Sequence, residues 1–256
     1  MSEVVSWVAL DVWAYPAGIA LLAYVVLGAV GFGSALIFVP LMAWRFPLPL
    51  VVSVALMLDI ISSAFHAYLN RSEVLWRQIP PILPAAIVGA ALGIVVLAWT
   101  RASGLLLVLG LYITWVAWRQ ATGRKESMQF IGRSTPMSGL LIGLVQVLFG
   151  TAGPLVLLWL GQRGASPRQL RATVPAAMVI FALIALTMML GSAQVRADEL
   201  FVFFGHLLPV SLFGVWAGHR LSHHLSPPFM KRSIEGLLLL SGASLTVKGL
   251  LLLMAS

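Results

Sequence analysis

The sequence predicts an all-α polytopic membrane protein made of two halves with four apolar segments each. Hydrophobic residues fill 60% of the 256 positions and charged residues 9%, whereas about 25% of an average soluble domain is charged. Most of the apolar stretches are long enough to cross a hydrocarbon core about 30 Å thick. A glycine-containing interruption also recurs near the start of each half, which is typical of membrane transporters with internal repeats.

The apolar segments fall into two groups of four around a polar linker. We predict an N-terminal half over residues 1–118, a cytoplasmic linker over 119–135 and a C-terminal half over 136–256. The segments themselves lie at about residues 16–44, 50–69, 79–99, 103–118, 137–161, 172–192, 200–218 and 234–254.

The first segment of each half carries the interruption. Gly31-Phe32-Gly33-Ser34 breaks the first, and Phe149-Gly150-Thr151-Ala152 breaks the fifth, 117 positions later. Glycine there frees the backbone or lets it come close to a ligand. Ser34 and Thr151 are expected to cap two half-helices, 34–44 and 151–160, whose N-terminal N–H groups would then face an anion.

The third segments of the two halves share a proline followed by two glycines. Pro84, Gly89 and Gly93 recur 125 residues later as Pro209, Gly214 and Gly218. Small residues of this kind let membrane helices approach closely, so we expect these glycines to serve helix packing.

The basic residues favour a topology in which residues 137–161 form a hairpin that returns to the side it entered. If all eight segments crossed, Lys and Arg would divide evenly between the two sides. With the hairpin they divide twelve to four, the asymmetry expected of a cytoplasmic face. The smaller set is Arg45, Arg101, Arg196 and Lys248. The charges leave open whether residues 16–44 cross the membrane or return to the side they entered. Because the two halves look like repeats of each other, we expect a hairpin there as well, and therefore two inverted halves.

One polar stripe lies inside an apolar segment. Asp59, Ser62, Ser63, His66 and Asn70 share one helix face by their spacing. A carboxylate in lipid is costly, so the stripe is expected to face the protein interior. Asp59 and His66 could carry a coupling proton; a hydrogen-bonded seam between helices is the alternative.

The remaining polar candidates adjoin the glycine breaks. Gln146 is the one polar side chain just before the second break, and Arg171 could offer charge to an anion or merely anchor its helix on the cytoplasmic side. The substrate-binding candidates are therefore Gly31, Phe32, Gly33, Ser34, Gln146, Gly150, Thr151, Gly153 and Arg171.

Composition excludes several classes of protein. The chain has no cysteine, hence no disulfide or thiolate metal site, and we expect neither a metal nor a cofactor. The net charge of +8 is scattered over many loops, which argues against nucleic acid binding. No phosphate-binding glycine–lysine loop is present, which argues against direct drive by ATP.

The sequence GFGSALIFVPL (Gly31 to Leu41) resembles the glycine-rich signature of the sulfite exporter TauE/SafE permease family, and GLVQVLFGTAGPLVLLWL (Gly143 to Leu160) resembles its second copy. Trp76-Arg77 and the third-segment glycines also fit. The resemblance covers about residues 16–254, although Ser34-Ala35 stand where the family usually has more glycine. It implies a multi-pass secondary transporter of the inner (plasma) membrane that exports sulfite, organosulfonates or related sulfur anions, coupled to an ion, with a proton expected.

Two other classes of function remain to be weighed. A membrane-embedded enzyme would use Asp59 and His66 as an acid/base pair, but it would leave the duplicated glycine breaks without a purpose. A passive anion channel would need a more uniformly polar lining. The sequence therefore predicts a transporter and not an enzyme, and it leaves the particular anion, the direction and the oligomeric state open.

Overall fold

The computed structural model describes residues 10–100, 102–122, 134–191, 197–221 and 227–254, and the regular elements in these ranges are all helical. The N-terminal half contains α1 (Leu10–Val30), α2 (Ser34–Met42), α3 (Leu48–Leu69), α4 (Leu83–Trp99) and α5 (Ala102–Thr122). The C-terminal half contains α6 (Thr135–Phe149), α7 (Gly153–Gly161), α8 (Pro167–Gly191), α9 (Ala197–Leu221) and α10 (Pro227–Met254). Three short 3₁₀ turns, Arg71–Glu73, Trp76–Gln78 and Pro80–Ile82, connect α3 to α4.

Five helices in the described ranges are long and apolar enough to cross a membrane. They are Trp13–Val30, Leu48–Leu69, Trp76–Trp99, Pro167–Gly191 and Asp198–Leu221. The polytopic all-α prediction is thus confirmed, and two of the eight predicted segments are each split into a long and a short helix. The short helices, α2 and α7, have nine residues each, or about 14 Å, half of a hydrocarbon core.

The first broken segment turns back on itself. The Tyr15 hydroxyl in α1 donates a hydrogen bond to the Leu41 carbonyl in α2 at 2.5 Å, and the Arg45 guanidinium lies 4.4 Å from the centre of the Tyr15 ring. In an unbroken helix, Tyr15 and Leu41 would be about 39 Å apart. Residues 16–44 therefore return toward the end at which α1 starts.

The second broken segment reverses in the same way. Arg163, just after α7, donates through Nη2 to the hydroxyl of Thr135 at the start of α6, at 2.6 Å. These residues would be about 42 Å apart in a straight helix. The fifth segment is therefore a hairpin, folded at residues 150–152.

The two hairpins open toward opposite ends of the molecule. Helices α3 and α8 run antiparallel, because Ser53 contacts Met189 while the Leu75 N–H donates to the Thr173 hydroxyl at 3.0 Å. The open end of the first hairpin adjoins the start of α3, and that of the second adjoins the start of α8. The hairpins therefore enter the bundle from opposite ends.

Glycines allow the closest helix crossings, as their spacing predicted. A Cβ at Gly89 of α4 would overlap the Leu140 carbonyl of α6, and one at Gly218 of α9 would overlap the Val25 carbonyl of α1. The partner helices contribute glycines of their own, Gly143 in α6 and Gly28 in α1. The pair α4/α6 thus packs as the pair α1/α9 does, each joining the first helix of one half to the fourth of the other.

Parts of the predicted halves lie outside the described residues. These are residues 1–9, 101, 123–133, 192–196, 222–226 and 255–256, which include most of the predicted linker. Helix α5 ends at Thr122 and α6 begins at Thr135, so the predicted linker of 119–135 overlaps both helix ends.

Candidate functional site

The first glycine break is a backbone conformation that needs glycine. Gly31 has φ 92° and Gly33 has φ 100°, both in the left-handed region that disfavours side chains. A Cβ at Gly31 would also lie 2.8 Å from the Arg171 carbonyl oxygen, whereas a Cβ at Gly33 would have 3.8 Å to its nearest neighbour. Gly31 is thus constrained by both conformation and space, and Gly33 by conformation alone.

The second break is held by two hydrogen bonds to its backbone. Gly150 has φ 67° and ends α6. The Gln146 Oε1 atom accepts from the N–H of Ala152 at 3.1 Å, and the Tyr112 hydroxyl of α5 donates to the Thr151 carbonyl at 3.0 Å. Both bonds satisfy backbone groups that the interrupted helix leaves unpaired.

The prediction that Ser34 and Thr151 cap the two short helices is wrong. Gly33 and Ala152 occupy the cap positions of α2 and α7, and neither short helix has a side-chain cap. Ser34 is instead the first residue of α2, and its hydroxyl donates to Asp59. Thr151 precedes the cap of α7, and its Oγ1 is buried without a hydrogen-bond partner. The first half-helix, Ser34–Met42, ends earlier than predicted. The second, Gly153–Gly161, starts later than predicted.

The two breaks meet at one cavity. A Cβ at Gly153 would lie 3.3 Å from the Cβ of Phe32, so the breaks touch each other directly. The cavity is lined by the first break, by the second break and by side chains of α3 and α8. Its lining includes Gly31, Phe32, Gly33, Ser34, Asp59, Ser63, Gly150, Thr151 and Gly153. Seven of the nine substrate-binding candidates therefore line a single cavity.

Asp59 is the acidic side chain of this cavity. Its side chain is 3% exposed, and its Oδ1 atom accepts two hydrogen bonds of 2.8 Å, one from the Tyr24 hydroxyl of α1 and one from the Ser34 hydroxyl of α2. The carboxyl group therefore joins α3 to both arms of the first hairpin. It lies beside the N-terminus of α2, where the helix dipole is positive.

Three further members of the polar stripe face the interior, as predicted, whereas Asn70 is half-buried at the end of α3. Ser62 contacts the hydroxyl of Ser211 in α9 at 3.3 Å, Ser63 lines the cavity, and His66 is fully buried. The His66 ring centre lies 6.2 Å from that of His219, near the end of α9. The stripe thus runs from the cavity along the seam between α3 and α9.

Two predicted substrate contacts lie outside the cavity lining. Arg171 packs behind Gly31, and its Nη2 atom is 3.5 Å from the Gly28 carbonyl oxygen at the end of α1. Gln146 is fully buried and holds the second break through Ala152. Both residues contact the backbone at or next to a break without lining the cavity.

Tyr24 and Met178 are site residues that sequence reasoning missed. Tyr24 is fully buried and donates to Asp59, while Met178 of α8 lines the cavity. A tyrosine hydroxyl in an apolar segment, ten positions before Ser34, was a signal that could have identified Tyr24. Met178 gives no such signal, because apolar residues surround it in the sequence.

Comparison with known proteins decides the family. Residues 17–245 match the family model described as sulfite exporter TauE/SafE. The chain belongs to this family. It is also 38% identical, over 192 residues, to the probable inner membrane transporter protein TsaS of Comamonas testosteroni, an alignment that covers 75% of this chain and 80% of that protein. No solved structure matches the chain.

Membership agrees with the fold described above. The matched range contains both broken segments, the polar stripe and the cavity between them. The protein is therefore a multi-pass membrane transporter of the TauE/SafE family.

Proposed function

We propose that this TauE/SafE protein is a secondary transporter that exports small sulfur-containing anions, such as sulfite or organosulfonates, and that it is not an enzyme. The inner membrane of the cell is its proposed location, since the TsaS protein is named as a probable inner membrane transporter. The substrate class follows the family description, which names sulfite.

The observation that carries the proposal is the meeting of two broken helices at one cavity. The N-termini of α2 and α7 both begin at this cavity, and N-terminal N–H groups with a positive dipole end attract anions. The buried Thr151 hydroxyl lines the same space without a hydrogen-bond partner and can donate to an oxyanion. In this proposal the anion binds between the breaks, with backbone N–H groups and hydroxyls in place of a buried arginine.

Alternating access is the proposed transport mechanism. The hairpins open toward opposite ends, the arrangement that two inverted repeats would have. Arg45 and Lys248 lie together at one end, where Lys248 donates to the Ala43 carbonyl, while Arg163 and Arg171 lie at the other. The second end is the proposed cytoplasmic face, because it carries the larger predicted share of basic residues.

Coupling to a proton is proposed through the polar stripe. Asp59 lines the cavity, and His66 lies two helical turns further toward the proposed cytoplasmic end. Asp59 is bonded to Tyr24 and Ser34, while His66 lies near Arg171 and His219. The two groups share no partner, which suits successive steps of a proton path better than the acid/base pair of an enzyme.

Transport by purified protein in proteoliposomes tests the substrate class. The panel is sulfite, thiosulfate, sulfoacetate and sulfate, each as a radiolabelled tracer, with empty liposomes as the control. We expect transport of at least one of the three non-sulfate anions. The proposal would be rejected if the protein transported none of these three anions, or if it converted one of them chemically.

The location of the anion is tested with Thr151→Val, which removes the unpartnered hydroxyl and keeps the side-chain shape. A hydrogen bond to a charged group contributes about 1.5–3 kcal/mol, so we expect affinity to fall by about tenfold or more, with no loss of thermal stability. The matched control is Thr187→Val on the exposed face of α8, where the hydroxyl bonds only to its own helix. Equal affinities in both variants would place the anion elsewhere.

A further inference from the structure

Asp59 lies beside the position in which the proposed substrate would bind. Its carboxyl group lies against the first residue of α2, in the cavity that both breaks line. An ionised Asp59 is therefore a negative charge held inside the molecule at a site suited to anions. The buried Thr151 hydroxyl, which faces the same cavity with no partner, is an independent sign that the site is built for an additional group.

We propose that Asp59 is an internal competitor of the transported anion, so that the anion binds only when Asp59 carries a proton, and one proton moves with each anion. This proposal rests on the proposed function and specifies its coupling. The proton goes from the solvent to the Asp59 oxygen that does not accept from Tyr24 and Ser34. Anion and proton leave together, and Asp59 is then an ionised carboxylate again.

Like charges make simultaneous occupancy unfavourable. Two unit negative charges about 4 Å apart, at the effective dielectric constant of about 20 typical of protein sites, reduce affinity by several hundredfold. Protonation of Asp59 removes this repulsion. Anion and proton therefore move in the same direction, which makes the protein a symporter. Export is then driven by the outward gradient of the anion itself, because the proton gradient across an inner membrane points inward.

The surroundings of Asp59 determine the pH at which the exchange occurs. Tyr24 on α1 is the titratable side chain that contacts it, while Ser34 on α2 acts as a neutral donor. Met178 of α8 lines the same cavity and Ser211 of α9 faces Ser62, and neither residue carries a charge. His66 lies further along α3. Tyr24 and Ser34 both favour the ionised carboxylate, because each donates to it. Tyr24 is thus a positioning residue for the coupling step.

Calorimetric binding of thiosulfate and methanesulfonate to the full chain in detergent tests the proposal. The charge of these anions does not change over the neutral pH range. Comparison of buffers with different ionisation enthalpies gives the number of protons taken up. At pH values above the midpoint of anion binding, we expect wild-type protein to take up one proton for each anion bound. In that range its affinity for the anion should fall about tenfold per pH unit. Asp59→Asn should bind with no proton uptake and with the same affinity at every pH.

Tyr24→Phe provides a second measurement that does not depend on the folding of the Asp59 variant. Loss of one donor to the carboxylate should move the midpoint of anion binding to higher pH and leave the uptake at one proton. The control is Tyr68→Phe, an exposed tyrosine at the end of α3, which should leave the midpoint unchanged.

The outcomes separate this inference from the function on which it rests. If wild-type protein binds neither anion at any pH, the proposed substrate class is wrong, and the inference falls with it. If wild-type protein binds without proton uptake, or a folded Asp59→Asn variant takes up the same proton or fails to bind, Asp59 is not the competitor, although the transporter proposal stands. An unchanged midpoint in Tyr24→Phe would also overturn the inference.

Discussion

At the scale of single residues, the site depends on a few atoms whose sequence context looks ordinary. Gly31 and Gly33 stand two positions apart in one motif, yet the structure constrains them differently. A Cβ at Gly31 would overlap the Arg171 carbonyl, whereas a Cβ at Gly33 would only contact Val26, at 3.8 Å. The sequence shows both as glycines in a break, and only the three-dimensional packing distinguishes their roles.

This difference predicts unequal costs of substitution by alanine. Gly33→Ala should lower the free energy of unfolding by about 1–2 kcal/mol, the cost of a left-handed conformation for a residue with a Cβ. Gly31→Ala adds a clash with backbone and should cost about 3 kcal/mol or more. Thermal or denaturant unfolding in detergent measures both. Gly205→Ala, in an exposed part of α9 with no neighbour within 4 Å, is the matched control and should be neutral or stabilising. Equal losses for Gly31 and Gly33 would contradict the packing of Arg171 against Gly31.

At the scale of elements, the two hairpins decide how the chain is arranged in the membrane. Each contains a long helix and a nine-residue helix that returns part of the way. The charge pattern predicted the second hairpin, because Arg163 and the basic linker must share a side. The charge pattern gave no prediction for the first hairpin, because no basic residue precedes α1. There the contact between Tyr15 and Leu41 supplies the answer.

Single cysteines in this cysteine-free chain test both hairpins by labelling with a membrane-impermeant thiol reagent. Ser134→Cys and Gln162→Cys, at the two ends of the second hairpin, should label from one side of the membrane. Ala14→Cys and Arg45→Cys, at the ends of the first hairpin, should both label from the other side. The reason is that both ends of each hairpin lie at the same end of the molecule, and the two hairpins open toward opposite ends. Labelling of Ser134→Cys and Gln162→Cys from different sides would remove the second hairpin and the inverted arrangement with it.

At the scale of the whole molecule, the sequence predicted the fold class, the family and most of the cavity lining, for identifiable reasons. Apolar length reveals membrane helices, and paired glycine breaks mark where two of them stop. The spacing of Asp59 and Ser63 put both on one helix face, and both line the cavity. Contacts between distant helices were not predictable, so the hydrogen bond from Tyr24 to Asp59 and the place of Arg171 behind Gly31 had to come from the structure.

The same long-range contacts indicate where the molecule would have to open. The helix pairs α1/α9, α3/α8, α4/α6 and α5/α10 pack most extensively, and the seam between α3 and α9 is less extensive. Ser62 and Ser211 face each other across this seam, with their hydroxyl oxygens 3.3 Å apart. The polar stripe follows it from the cavity toward His66. A path from the cavity to the proposed cytoplasmic end would therefore run between α3 and α9.

A disulfide across this seam should stop transport without destroying the site. The variant with Ser62→Cys and Ser211→Cys places two thiols where the hydroxyls now meet, and oxidation should bridge them. If alternating access separates α3 from α9, the oxidised protein should lose tracer transport in proteoliposomes, and reduction by dithiothreitol should restore it. Either single-cysteine variant, treated with the same oxidant, is the control and should keep its activity. Anion binding from the opposite end should persist in the oxidised protein, since no cavity-lining residue has been replaced. Full transport by protein shown to be cross-linked would mean that α3 and α9 move as one body, and the opening would then have to lie along another seam.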